Sequence, residues 1–281
     1  MREIDRRTMM LTGAAALLAT TVRVPAARAE SAPDFFDDFT GPAGSAPNPA
    51  FWAVVNGLHW GGQQNYTNEN AYVDGNSHLV LKAVNNGGKW TSGRVQTAVP
   101  VYPGNNSQAS SANLFTFGYG TLSASIQIPN GMGPGLWPAF WLLGANGAEG
   151  VPWPACGEID VFEFASVATK ANTSINGPFT YILPQDFQAQ LRTPTPDLST
   201  AFHTYWMIHA EDSLTFGVDS TTWGTFTPES MKFGGIWVFN QPFYLILNLA
   251  VASGGWVGRP DASTPSPAVM LVDWVKFEPA P

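Results

Sequence analysis

Short apolar and polar alternations of strand length dominate the chain. His78-Leu-Val-Leu-Lys-Ala83, Gly120-Thr-Leu-Ser-Ala-Ser-Ile-Gln-Ile128, Thr204-Tyr-Trp-Met-Ile-His209 and Phe243-Tyr-Leu-Ile-Leu-Asn-Leu249 are β-rich runs. Clusters of Asn, Gly, Pro and Ser bound them, as in Asn85-Asn-Gly-Gly88 and Pro103-Gly-Asn-Asn-Ser107. Leu214-Thr-Phe-Gly-Val-Asp219 followed by Thr222-Trp-Gly224 predicts a hairpin. No window has the apolar period and end caps of a long amphipathic helix. Many short strands with frequent turns predict an all-β sandwich or jelly roll of two antiparallel sheets. No fixed-period repeat or linker appears, and low complexity is confined to the Pro/Ser-rich loop from Asp261 to Pro267. A single domain over residues 33–279 is expected.

One run departs from simple alternation. Gly157-Glu-Ile-Asp-Val-Phe-Glu-Phe164 sets three carboxylates in an apolar, strand-forming segment of a chain that is only 12% charged. A buried charge is costly unless it is paired or hydrogen-bonded. With period two, Glu158 and Asp160 share a face and Glu163 falls on the other. A one-residue bulge at Val161-Phe162 restores the parity and brings all three together. At about 3.3 Å per residue, the Cα atoms of Glu158 and Glu163 would lie more than about 10 Å apart, a gap that two long inward-leaning side chains close in large part. A retaining glycosidase holds its two carboxyls about 5–5.5 Å apart, one as nucleophile and one as acid/base. Asp160 between them would raise at least one pKa by like-charge repulsion. Two plainer readings stay open at this point. The face is a wet polar surface, or it holds calcium, although no Asp-x-Asp-x-Asp-Gly loop occurs.

The aromatic residues bear on that choice. There are 11 Trp, and Trp137, Trp141 and Trp153 cluster near the acidic run. In Gly135-Leu-Trp-Pro-Ala-Phe-Trp-Leu-Leu143, alternation puts Trp137, Ala139 and Trp141 on one face, while Pro138 predicts an irregular or edge position. These indoles are either core or the flat floor of a groove, on which the apolar C–H faces of sugar rings stack.

The ends and the charge narrow the function classes. Arg6-Arg7 precede an apolar stretch from Met9 to Ala19, and Ala27-Arg-Ala29 has a small-x-small cleavage pattern. This predicts a twin-arginine-type signal peptide over residues 1–29 and export to periplasm, cell wall or medium. A membrane anchor needs about 18 or more apolar residues, and Arg23 and Arg28 interrupt the run. The remaining 252 residues carry 8 Lys and Arg against 19 Asp and Glu, a net charge of −11. Such a surface argues against nucleic acid and anionic membranes as partners, and a soluble monomer is expected. Cys156 is the only cysteine, so no internal disulfide forms. It reads as a small buried hydrophobe rather than a nucleophile, because no His lies near it in sequence.

Glu-x-Asp-x-x-Glu over Glu158–Glu163 resembles the active-site signature of glycoside hydrolase family 16, in the bulged form of laminarinase-like endo-β-1,3-glucanases. Other segments resemble that family in order along the chain. They are Phe36-Asp-Asp-Phe-Thr-Gly41, Thr91-Ser-Gly-Arg-Val-Gln-Thr97, Phe117-Gly-Tyr-Gly120, Gly135–Gly144, Gln241–Val251 and Met270-Leu-Val-Asp-Trp-Val275. The resemblance implies a concanavalin-like β-jelly roll with a substrate cleft on its concave face. It implies Glu158 as nucleophile, Asp160 as assisting carboxylate and Glu163 as acid/base, with no cofactor for catalysis. Trp137 and Trp141 match donor-side subsites, and Arg94 matches a groove arginine. Asp38, Gly75 and Asp273 match a structural calcium on the convex face, with Asp38 where Glu is usual. Two departures stand out. Asn176 in Ser174-Ile-Asn-Gly-Pro178 occupies the place of a cleft-facing His, and Trp60-Gly-Gly-Gln-Gln-Asn-Tyr-Thr67 replaces the usual Gly-Asn-Asn-Glu-Leu-Gln stretch. The implied activity is endo-hydrolysis of a β-linked polysaccharide, a β-1,3-glucan first. The alternatives are a β-galactan hydrolase, a lectin-like binder that lost its chemistry, and a wall-anchored structural protein.

Overall fold

A computed structural model describes residues 34–58, 62–100, 110–179 and 186–281. The predicted signal peptide over 1–29, the turn predicted at Pro103–Ser107 and Trp60-Gly61 lie outside the described residues. Among the described residues two large sheets face each other. One has 11 strands, with Ser213–Val218, His203–Ala210, Gly120–Gln127, Ala268–Pro279 and Leu79–Asn86 adjacent in that order. The other has seven, ordered Asp186–Pro194, Lys170–Pro178, Glu158–Phe164, Leu136–Gly144, Phe243–Val251, Arg94–Gln96 and Ala53–Val54. Nearly every pairing is antiparallel, the exception among the described residues being Asn65–Tyr66 beside Lys89–Ser92. This is the all-β jelly-roll sandwich that the strand pattern predicts, and Ser213–Val218 with Thr221–Phe226 forms the expected hairpin.

The core follows from the alternation. Leu122, Ala124 and Ile126 from one sheet meet Ile159, Phe162, Leu245 and Leu247 from the other, all fully buried in one apolar cluster. Fully burying side chains of this size is worth about 1.5–3 kcal/mol each. Phe243–Val251 is buried on both faces. Its odd-numbered residues enter the core, whereas Tyr244 and Ile246 join a smaller cluster with Ala98, Leu143 and Cys156 on the outer face. Trp141, Val151 and Trp153 pack against that cluster. Cys156 is therefore the buried hydrophobe the sequence predicts; burial and then the charge of Glu158 push its thiol up to about 12, which keeps it from acting as a thiolate.

Pro138 does not mark an edge. Its strand is paired on both sides, but the pairing with the acidic strand begins only at Ala139, so the missing N–H interrupts nothing on that side.

Candidate active site

Gly157 sets the start of the acidic strand. Its φ is 81°, and a Cβ there would lie 3.1 Å from Val238 Cγ2, so the turn requires glycine. The strand then bulges where parity demands it. Asp160 pairs with Ser174 and Glu163 with Asn172, leaving Val161 and Phe162 opposite Thr173 alone. On the other side Phe162 faces Phe140 and Asp160 faces Trp141, so Val161 is the extra residue. Val161 and Phe162 both turn inward and are fully buried. Glu158, Asp160 and Glu163 consequently line one cleft on the outer face of the seven-stranded sheet, together with Trp137, Trp153, Asn176 and Trp256.

Each carboxylate has its own set of donors. The turn before the strand, closed by Cys156 N–H to Pro152 O and Gly157 N–H to Pro154 O, brings the Trp153 indole back onto Glu158. Trp153 Nε1 donates to Glu158 Oε2 at 2.9 Å, and Asn176 Nδ2 donates to Glu158 Oε1 at 2.8 Å. The same Asn176 nitrogen donates to Asp160 Oδ2 at 3.2 Å, and Ser174 Oγ donates to that oxygen at short range. Glu163 accepts one carboxyl bond among the described residues, from Trp137 Nε1 to Oε1 at 2.8 Å.

Burial raises all three carboxyls, and like-charge repulsion adds to the rise of both glutamates. Burial, then the charges of Asp160 and Glu163, hold Glu158 well above the ordinary carboxylate range, and the Trp153 and Asn176 donors oppose that rise. Burial lifts Asp160 to about 7 against the pull of Ser174 and Asn176. Burial and then the charge of Asp160 hold Glu163 well above its usual range, with Trp137 its one opposing donor. Three close carboxyls cannot all ionise near neutral pH, and of the two glutamates Glu158 has the more N–H donors to hold an anion.

The sequence model of glycosyl hydrolases family 16 matches residues 59–276. The chain belongs to glycosyl hydrolases family 16. A β-glucanase of Rhodothermus marinus is 30% identical over 254 residues, covering 82% of this chain and 79% of its own. The laminarinase catalytic domain of Thermotoga maritima MSB8 superposes with a TM-score of 0.70 at 28% identity, over 88% of this chain and 98% of that one. The endo-β-1,3-glucanase of Pyrococcus furiosus gives 0.68 at 32% identity, over 88% and 94%.

As a family 16 chain, the molecule brings together six of the residues picked out in the sequence, namely Glu158, Asp160, Glu163, Trp137, Trp153 and Asn176. Trp141, the cross-strand neighbour of Asp160, and Arg94 share this outer face but are not among the residues lining the cleft. The Arg94 guanidinium sits over the Trp141 ring at 5.1 Å, Trp141 Nε1 donates to Asn248 Oδ1 at 2.6 Å, and the indole packs on the outer apolar cluster. Trp153 and Trp256 complete the wall. Trp256 is 49% exposed and its ring meets Trp137 edge-on at 5.7 Å. The signal for Trp256 was a large aromatic in the glycine-rich turn Gly254-Gly-Trp-Val-Gly258, where no core packing would place it.

The metal positions implied by the resemblance fall on the opposite sheet. Phe35–Asp37 pairs with residues 275–277, and Leu79–Asn86 pairs with residues 268–272, so Asp273 lies in the gap between the two pairings. Asp38 and the turn after Gly75 flank that gap, and their loops are joined by Thr40 Oγ1 and Ser77 Oγ at 3.1 Å. Two carboxylates and a main-chain carbonyl are hard oxygen donors that fit Ca²⁺. Asp38 Oδ1 also accepts from the Thr40 N–H, and Asp273 Oδ2 from Ser125 Oγ. Among the described residues no three His, Cys, Asp or Glu gather around one point.

Proposed function

We infer that the protein is an exported, retaining endo-hydrolase of a β-linked polysaccharide, with β-1,3-glucan as its substrate. The observation that carries this reading is the unequal hydrogen bonding of two glutamates on one strand face. Glu158, with both oxygens receiving N–H donors, is the nucleophile. Glu163, with a single N–H donor to its carboxyl, holds the proton. In the first step a Glu158 oxygen bonds to the anomeric carbon while the glycosidic C–O bond breaks, and Glu163 gives its proton to the departing oxygen. In the second step Glu163 takes a proton from water, whose oxygen displaces Glu158 and restores both residues. Asp160 orients Glu158 through their shared partner Asn176. Trp137 and Trp256 offer aromatic faces to the sugar rings. Laminarin, lichenan, agarose and a β-galactan, offered to the protein lacking residues 1–29, test the substrate. Turnover is expected first on laminarin; galactan-only activity would replace the glucan assignment, and binding without turnover would favour the lectin-like reading.

The raised carboxyls also make a stability prediction. A carboxyl whose folded pKa exceeds its unfolded value binds more protons in the native state, so its contribution is greatest at low pH. That contribution is lost as pH rises from the unfolded value, about 4.3 for Glu, through the folded one. Glu163→Gln keeps an oxygen for Trp137 and is permanently neutral. Its melting temperature should match wild type near pH 4 and exceed it near pH 8, by about 2–4 °C per kcal/mol relieved. Equal melting at both pH values would show that Glu163 is not strained.

Calcium is proposed as a structural ion held by Asp38, Asp273 and the Gly75 carbonyl, with no part in the chemistry. A ligand bound only to the native state adds about 2.7 kcal/mol at one hundred times its Kd. Calcium should raise the melting temperature of wild type and leave Asp273→Ala unaffected. Identical wild-type melting with calcium and with chelator would dismiss the ion.

A further inference from the structure

We propose that the edge strand Asp186–Pro194 supplies the acceptor-side sugar site, with Gln188, Gln190 and Arg192 gripping hydroxyl pairs of the leaving saccharide. The proposal rests on the assignment of Glu158 and Glu163 above. Cross-strand register carries it. Glu158, Asn176 and Gln188 lie in one row across three strands; Asp160, Ser174 and Gln190 form the next; Glu163, Asn172 and Arg192 form the third. Period two puts Gln188, Gln190 and Arg192 on the same face as the carboxylates, and all three line the cleft. The intervening residues Phe187, Ala189 and Leu191 pack on the core, which fixes that face outward.

The side chains are tied together rather than splayed. Arg192 Nε donates to Gln190 Oε1 at 2.9 Å, and both side chains line the cleft. Gln188 Nε2 reaches Ser174 Oγ at 3.5 Å, and Ser174 in turn donates to Asp160. The edge row is thus linked to the acidic strand through a continuous polar path. Adjacent strands are about 4.8 Å apart, so the row stands roughly 10 Å from the carboxylates, within reach of a disaccharide. The side matters as much as the distance. Trp137 lies on the strand on the opposite flank of the acidic strand. With donor sugars over Trp137, the leaving saccharide crosses Lys170–Pro178 toward the edge row. Amide and guanidinium groups present paired donors with the spacing of vicinal hydroxyls, which suits a neutral hexose.

Two substrates with the same donor sugars separate this site from the chemistry. A nitrophenyl β-oligoglucoside places an aryl group at the acceptor side, whereas a longer oligosaccharide places sugars there. For Arg192→Ala and for Gln190→Ala, the ratio of kcat/KM on oligosaccharide to kcat/KM on aryl glycoside should fall about tenfold, the size of a lost hydrogen bond or two. Most of that fall should appear in KM, and Arg192→Lys should recover part of it. The oligosaccharide series is the one wild type cleaves in the substrate screen, so a wrong glucan assignment shows there and not in this ratio. Equal losses on both substrates, or no loss on either, would overturn the proposal, as would a wild type that cleaves no β-glycan.

Discussion

Glu158→Gln and Glu163→Gln should each be folded and close to inactive on polysaccharide, but they should fail differently. Losing Glu163 removes the proton donor, and general acid–base catalysis contributes about 10²–10⁴-fold. A nitrophenyl leaving group departs without protonation, so Glu163→Gln should retain much more activity on aryl glycosides than on laminarin. Losing Glu158 removes the bond-forming oxygen itself, and no leaving group rescues that. Its replacement amide also faces two N–H donors, from Trp153 and Asn176, with only one oxygen to accept them. Steady-state rates on both substrates, alongside thermal melting, distinguish the two defects. Wild-type turnover in either variant would remove that residue from the chemistry, and reversed leaving-group behaviour would exchange their roles.

Asn176→Asp should be the most damaging change outside the carboxylate triad. Asn176 is buried and its amide nitrogen bridges Glu158 and Asp160. Replacing that donor with a fourth carboxyl sets a like charge against the nucleophile and raises its pKa further. Asn176→Ala only deletes a charge-assisted hydrogen bond, worth about 1.5–3 kcal/mol, or about 10–150-fold in rate near neutral pH. Asn176→Asp should lose more than that and shift the acid limb of the kcat/KM profile to higher pH. Asn176→His, the residue that the sequence resemblance implies for this place, should keep activity while adding a titration near the ordinary His range. If Asn176 instead touches only substrate, these variants would raise KM and leave the pH limbs where they are.

The bulge and the protonation partners were legible to different degrees, for physical reasons. Side-chain parity is a local property of the chain, so Glu158, Asp160 and Glu163 could be placed on one face from a period of two and one extra residue. The bulge turns the side chains of both Val161 and Phe162 inward, and Phe162 packs against Tyr205 of the other sheet, ring centroids 4.3 Å apart. Ser174 and Asn176 as partners of Asp160 and Glu158 depend on cross-strand register, which joins residues 14 to 18 positions apart. The hydrogen bond from Trp153 depends on a tight turn whose closure the sequence does not display. Trp141 looked equivalent to Trp137 by alternation. The two indoles differ because Trp137 donates to Glu163, whereas Trp141 donates to Asn248, packs against the outer apolar cluster and lies under Arg94. The edge row of Gln188, Gln190 and Arg192 shows only polar alternation in sequence, and its register with the carboxylates is what supports the acceptor-side role proposed for it.

The central claim is that Glu158 forms a bond to the sugar before water does. The most direct test is the anomeric configuration of the first product, followed by proton NMR during the opening minutes of turnover on a reduced-end β-oligosaccharide. Double displacement predicts that the β-anomer appears first and the α-anomer grows in only by mutarotation. An α-anomer formed first would mean direct attack by water on the opposite face, and would contradict the assignment of Glu158 as nucleophile.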